Sequence, residues 1–477
     1  MESDRTKVHR RTELRQSSEN EIKATTVVAF TLNSFSMANK SHMSLWWSSL
    51  VHPEFKPGEV HRTWDVVIVG GGFSGLWTAH HLKEWEPTLR IAILEKNLTG
   101  SGASGRNGGW VSALYPIADS KMLKQASPQS IHNLHVHLRK TIDDIGRFVA
   151  AEGVDCSYVK GGTLVIARNE GQLKRLASQI DADHTFLNAS ETKARINISG
   201  ALGSTFTPHC AAINPAALVI GLARSLEKRG VSIFENTEAE ISADKYVSVG
   251  GSRLDTNFVV RATEAYHEGT SDQVPIYSLM IATEPLPSEV FDEIGIRNRE
   301  TFAEASHLVT YAQRTSDNRL AIGGRGTPYT WGSRRNDASE DNKRGHERLS
   351  SMAREWFPAL QRFEFTHAWG GAVGVTRDWA PYVRTKENYG ELGGYAGDGV
   401  AISYLAAGAM ADLILDKKSE RVQLPFVQWK NPHWEPEPLR WIAINGAIRL
   451  SGFADREERR TNRPSGIMKF LSTITGQ

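Results

Sequence analysis

The stretch WDVVIVGGGFSGLWTAHHLKEWEPTLRIAILEK, from Trp64 to Lys96, constrains the fold more than any other part of the chain. An apolar run at 66–69, a glycine turn, a helical stretch over about 74–85 and a second strand-like run at 90–94 read as one βαβ unit. Gly70, Gly72 and Gly75 form GxGxxG directly after the first strand, and Glu95 lies twenty residues beyond Gly75. That is the context a dinucleotide fingerprint needs. Gly70 permits the tight turn, Gly72 lets amides approach a pyrophosphate at the helix N-terminus, Gly75 brings helix against strand, and Glu95 accepts from ribose hydroxyls.

A second bare loop, GSGASGRNGGW, follows at 100–110 and sets Arg106 and Asn107 between glycines. A flexible linker would scatter its charges, whereas this spacing suits backbone passing close to a bound group. Much later, GGYAGDGVAISYLAAGAMADLI places Gly397, Asp398 and Gly399 at the start of an apolar helix expected over 400–415. Its positive end can stabilise a developing anion. Between these segments, a helix is expected over 130–153, another over 170–180, and strands with turns from 277 to 324.

Length and charge narrow the partners. A chain of 477 residues exceeds one ordinary core and implies two domains or one large interleaved enzyme fold. With 56 basic against 54 acidic residues, the formal charge of +2 offers no field for nucleic acid or an anionic membrane. No apolar run is long enough for a membrane helix, and no integral membrane segment is expected. Cys156 and Cys210 show no metal or redox spacing, so no metal site is expected, both thiols are expected in the core, and a reducing, cytoplasmic setting fits. Residues 1–60 mix charges with one short apolar patch, carry no targeting pattern and are expected to be partly disordered, with Met43 opening a more protein-like stretch.

Taken in order, the fingerprint with Glu95, SGASGRNGG, VVRATEAY, DNRLAIGGR, WGG followed by TRDWAP, and GYAGDGVA resemble the D-amino-acid-oxidase-like superfamily of FAD-dependent oxidoreductases. The branch whose motifs they resemble most is that of gamma-glutamylputrescine oxidoreductase. The resemblance covers roughly 65–415 and implies an α/β plus α+β architecture. A Rossmann-like βαβ FAD-binding domain would be assembled from the discontinuous segments 61–150, 205–275 and 365–423. An antiparallel β-sheet substrate domain would comprise 151–204 and 276–364, and a C-terminal arm 424–477 would pack on the body with a frayed, charged end.

Carried onto this chain, the resemblance assigns Gly70, Gly72, Gly75 and Glu95 to the ADP part of FAD, and Ser104, Arg106, Asn107 and Gly108 to the flavin and pyrophosphate loop. Ala239 and Thr263 match adenine-side and strand-end positions, and Gly397, Gly399 and Val400 match the flavin-ring loop. The loop after Glu95 contains neither histidine nor cysteine, so FAD is expected to be noncovalent. Asp398 and Glu264 stand where many relatives carry histidine and asparagine.

The implied reaction is oxidation of the C–N bond of a small amine or amino acid to an imine, with O2 or another acceptor taking the electrons; C–O oxidation of a 2-hydroxy acid on the same fold, or a non-catalytic flavin-binding assembly protein, are the alternatives. Arg325, Trp369, Arg377 and Asp378 are the substrate-side candidates, with Tyr311 and His267 behind them. Each also has a plain structural reading. Trp369 and Tyr311 would serve as core rings, Arg377 and Asp378 as a pair or backbone caps, Arg325 as a strand-end charge and His267 as a loop residue.

Overall fold

The computed structural model describes residues 44–55, 63–177, 180–267 and 272–468. A six-stranded sheet runs in the order Tyr382–Lys386, Tyr389–Gly393, Asp255–Arg261, Thr63–Val69, Ile91–Leu94 and Ser232–Phe234. Its neighbours are parallel except for the antiparallel Tyr382–Lys386 edge. The central strand alternates as a strand must: Val66 and Ile68 enter one core and Val67 and Val69 the other. Helices Phe73–Trp85, Pro128–Glu152, Pro215–Lys228 and Gly399–Ile414 supply the first core. The three-stranded antiparallel sheet Ala239–Ile241, Val247–Val249 and Ser252–Arg253 covers the second.

The larger sheet has eight strands, in the order Phe365–Thr376, Gln273–Thr283, Leu320–Arg325, Thr310–Arg314, Thr301–Glu304, Thr163–Ala167, Gly203–Thr207 and Thr185–Asn188. Only the Thr301–Glu304 and Thr163–Ala167 pair is parallel. Helices Ser288–Ile294 and Lys343–Trp356 bury one face of it, leaving Tyr311 and Ser278 on the face turned to the other sheet. The architecture is thus the expected mixture of a parallel α/β layer and a mostly antiparallel sheet. Three edges of the expected domain division fall inside this larger sheet, because its ladders run through 205–207, 273–275 and 365–376.

The stretch after Met43 is as protein-like as expected, while the C-terminal end departs from expectation. Residues 1–43 and 56–60 of the expected disordered extension lie outside the described residues, but 44–55 is built into the body. Leu45–Ser48 forms one helical turn that buries Leu45, Trp46 and Trp47, more apolar surface than a loose tail could leave in water. At the other end, Leu439–Thr461 is a single helix. Its charged end is not frayed: Glu458, 1% exposed, receives Arg175 at 2.7 Å and His307 at 3.0 Å. Asp455 accepts from the amides of His307 and Leu308 at 2.8 and 3.0 Å. Both cysteines are buried and free, and burial pushes each thiol up to about 12. Among the described residues, no helix is long and apolar enough to cross a membrane.

Candidate active site

At the carboxyl end of the central strand, Gly70 turns the chain at φ +113°, and a Cβ there would lie 2.5 Å from the Ala262 carbonyl oxygen. A Cβ on Gly75 would lie 2.1 Å from the Gly70 carbonyl, so helix and strand approach as closely as the fingerprint implies. Gly72 caps the helix Phe73–Trp85 with no side-chain bond of its own. Glu95 braces the turn, accepting from the Gly71 amide at 2.8 Å through one oxygen and from the Asn97 amide at 2.9 Å through the other. Burial raises the pKa of this carboxyl, against the pull of the two amides. Each oxygen retains a lone pair that a hydroxyl can donate to.

The glycine loop is tied to that turn by Ser104, whose Oγ accepts from the Phe73 amide at 2.9 Å. Asn107 fixes the shape of the loop: its Nδ2 donates to the carbonyls of Ala103 and Ser104 at 3.1 and 2.8 Å, and its Oδ1 accepts from the Gly109 amide at 2.8 Å. Arg106 faces the larger sheet. Its Nη1 meets Glu340 at 2.5 Å, while its carbonyl accepts from Trp369 Nε1 at 2.9 Å. Gly108 lets the Tyr311 ring close in, since a Cβ would stand 2.4 Å from it. From behind, Ser44 donates to the Gly105 carbonyl at 2.9 Å and Trp46 Nε1 to the Asn107 carbonyl at 2.8 Å.

The second glycine element lies opposite. Gly397 has φ +105°, and the space its missing side chain leaves holds the Arg325 guanidinium, with Nη2 2.9 Å from where a Cβ would be. That nitrogen also donates to the Ala396 carbonyl, and the guanidinium lies 4.9 Å from the Trp379 ring centre. Asp398 sits at the N-cap of the helix Gly399–Ile414, where burial pushes its acid up to about 6 and Arg325 opposes the rise. Val400 is buried in the first turn. Tyr311 shares a hydrogen bond with Ser278 at 2.9 Å and stands edge-on to Trp110 with centroids 5.8 Å apart. Burial raises its phenol, with Ser278 and Arg325 opposing.

Gly70, Gly72, Gly75, Glu95, Ser104, Arg106, Asn107, Gly108 and Trp369 are therefore brought together, and Arg325, Gly397, Gly399 and Val400 form the facing group. Ala239 lies half-buried in the small sheet that covers the outer face. Arg377 and Asp378 face elsewhere. Arg377 pairs with Glu435 at 2.9 Å, and Asp378 accepts from Trp429 and Asn431 at 2.8 Å each, so both hold the C-terminal arm. His267 is exposed after the short turn Glu264–Tyr266.

Three residues of the site had no assignment in sequence. Tyr266 lay within the ATEAY motif, and Trp110 closed the glycine loop, so position alone could have marked them. Glu340 sits in a polar stretch with no signal. The hydroxyls of Thr263 and Tyr266 and the indole Nε1 of Trp110 are buried without a partner. Thr263 adjoins Gly70 and Tyr266 lies against Gly102. Unmet buried polar groups cost about 1–3 kcal/mol each. A polar ligand stretched along a bare glycine cradle would meet them, and the residues present fit a dinucleotide.

A protein-family model described as FAD dependent oxidoreductase matches residues 65–413. The chain is 26% identical over 376 residues to a probable oxidoreductase OrdL of Haemophilus influenzae, covering 74% of this chain and 83% of that protein. It is 26% identical over 369 residues to gamma-glutamylputrescine oxidoreductase of Escherichia coli, covering 74% of this chain and 84% of that one. The crystal structure of glycine oxidase from Geobacillus kaustophilus superposes with a TM-score of 0.62 at 22% identity, over 75% of this chain and 96% of that one, which establishes a shared fold.

Proposed function

The chain belongs to the FAD-dependent oxidoreductase family, and from that premise we propose that it oxidises the C–N bond of a small amine carrying a carboxylate. An amino acid is the simplest such substrate, and O2 is the proposed acceptor, leaving as peroxide. FAD, when bound, supplies the two-electron acceptor for the hydride removed from carbon; the amine nitrogen gives up a proton, and water hydrolyses the resulting imine.

The residues that would hold FAD are the Gly70–Gly72–Gly75 turn with the helix end at Phe73 for the pyrophosphate, and Glu95 for the ribose hydroxyls. The Ser104–Gly108 loop would lie beside the flavin, and the helix end at Gly399 and Val400 at its anionic edge. Noncovalent retention fits two buried cysteines and a glycine loop without histidine; the same two thiols support a cytoplasmic setting. We assign the six-stranded sheet and its helices to the cofactor, the eight-stranded sheet to the substrate, and 424–477 to a separate arm.

One observation carries the substrate class: the Arg325 guanidinium is held half-buried beside Gly397, where its planar fork can take a carboxylate in two parallel hydrogen bonds. The edge-on Tyr311 and Trp110 rings, and Trp369 bonded to the Arg106 carbonyl, supply apolar ring surface to the same group of residues. The naming of relatives for gamma-glutamylputrescine and glycine supports chemistry at C–N. The test is anaerobic bleaching of the flavin by amino acids, by the same amines without a carboxylate, and by 2-hydroxy acids. Amino acids should bleach it fastest; bleaching by 2-hydroxy acids alone would reverse the reading.

A further inference from the structure

The segment 326–342 joins the strand Leu320–Arg325 to the helix Lys343–Trp356. Its start is gripped by the C-terminal arm. Tyr329, 2% exposed, donates its amide to Asn445 Oδ1 at 2.9 Å, and its carbonyl accepts from Asn445 Nδ2 at 3.1 Å. Its hydroxyl donates to Glu437 Oε1 at 2.9 Å, and the Gly332 amide donates to the same oxygen at 2.9 Å. Its far end reaches the site. The Arg335 guanidinium lies 4.4 Å from the Tyr266 ring centre, the Asn336 amide donates to Tyr277 OH at 2.7 Å, and Glu340 closes on Arg106. Both gripping residues lie beyond residue 413, where the family match ends.

We propose that Glu437 and Asn445 are positioning residues of the active site: by fixing Tyr329 they seat the segment whose Arg335 and Glu340 close on Tyr266 and Arg106, beside the substrate space at Arg325. The proposal rests on reading that space as the amine-oxidising centre. A segment bonded at both backbone groups of one buried residue has little freedom at that point; without those bonds it gains conformational entropy and opens locally. When Glu340 leaves, the Arg106 guanidinium loses its counter-charge and competes with Arg325 for the substrate carboxylate. Substrate is then seated in the wrong register, which weakens binding more than turnover.

The test uses the FAD-loaded full chain with Asn445→Ala and, separately, Glu437→Ala, so that one variant serves if the other does not fold. Tryptic cleavage at Arg334 and Arg335, both exposed in this segment, should accelerate about tenfold, with flavin per chain unchanged. For whichever amine bleaches the flavin, KM should rise about tenfold while kcat stays within about twofold. Unchanged cleavage in both variants overturns the proposal, as does a joint fall of kcat and flavin content, which would make the arm a folding element only. If no amine reduces the flavin, the amine reading fails, and the cleavage comparison still decides whether the arm seats the segment.

Discussion

Arg106 and Glu340, 234 residues apart in the chain, meet at 2.5 Å where the glycine loop faces the larger sheet. Their side chains are 24% and 16% exposed, so water screens the pair less than it would on an open surface. Arg106→Ala is expected to lower flavin per chain, or the anaerobic reduction rate, by about tenfold, because it removes the guanidinium itself from beside the proposed cofactor path, which release of Glu340 would leave in place. If both quantities match wild type, Arg106 has no part in holding the cofactor.

Arg325 separates substrate binding from chemistry. Arg325→Ala should lower kcat/KM for amino acids roughly 100-fold, and for the matching amine without a carboxylate by less than about fivefold. An equal loss for both would show that the guanidinium acts on the loop at Gly397 and not on the carboxylate.

Glu264 gives a pH signature. It stands half-buried just after the strand Asp255–Arg261, accepts from the Tyr395 amide at 3.3 Å, and its partial burial raises its acid from 4.5 to about 7 against the neighbouring amides. A carboxyl raised in the folded state binds its proton more tightly folded than unfolded. Its contribution is therefore full below pH 4.5 and is lost as pH rises to about 7, by up to about 3 kcal/mol. Glu264→Gln removes the titration. Thermal melts should show the variant gaining on wild type as pH rises from 5 to 8; a constant offset across that range contradicts the assignment.

Glu458 has the opposite sign. His307, Arg175 and the Ser465 amide hold its carboxyl down to about 2, so the stability it contributes is full above pH 4.5 and disappears as pH falls towards 2. Glu458→Ala leaves Arg175 and His307 facing a buried gap and should cost about 3 kcal/mol. Proteolysis of the arm in wild type should quicken below about pH 4, with the variant already sensitive at neutral pH. Equal sensitivity of the two at neutral pH would show that the cluster does not fasten the arm.

What was legible in sequence is what local chain geometry dictates. The βαβ unit, the long helix Pro128–Glu152 and the helix Gly399–Ile414 follow from periodicity, from Gly70 and Gly75, which leave no room for a side chain, and from Gly153, whose φ of 63° ends the long helix. The glycine loop was legible as a place of close approach, although its partners were not. Trp46, Glu340 and Gln313, which donates to the Gly108 carbonyl at 2.6 Å, reach the loop from distant strands and turns that share no pattern with it. Arg377 and Asp378 show the converse error: they adjoin a motif in the chain, yet their side chains turn towards the arm because Glu435, Trp429 and Asn431 offer them partners there.

Ser44 and Trp46 hold the back of the glycine loop from before residue 65, and Asn445 holds a facing segment from after residue 413. The region that matches the family is consequently not portable. A fragment trimmed to its limits would bare the carbonyls of Gly105 and Asn107 together with the Trp369 ring that packs edge-on against Trp46. Any attempt to graft this centre into another protein, or to exchange it with a relative's, has to carry both flanks along.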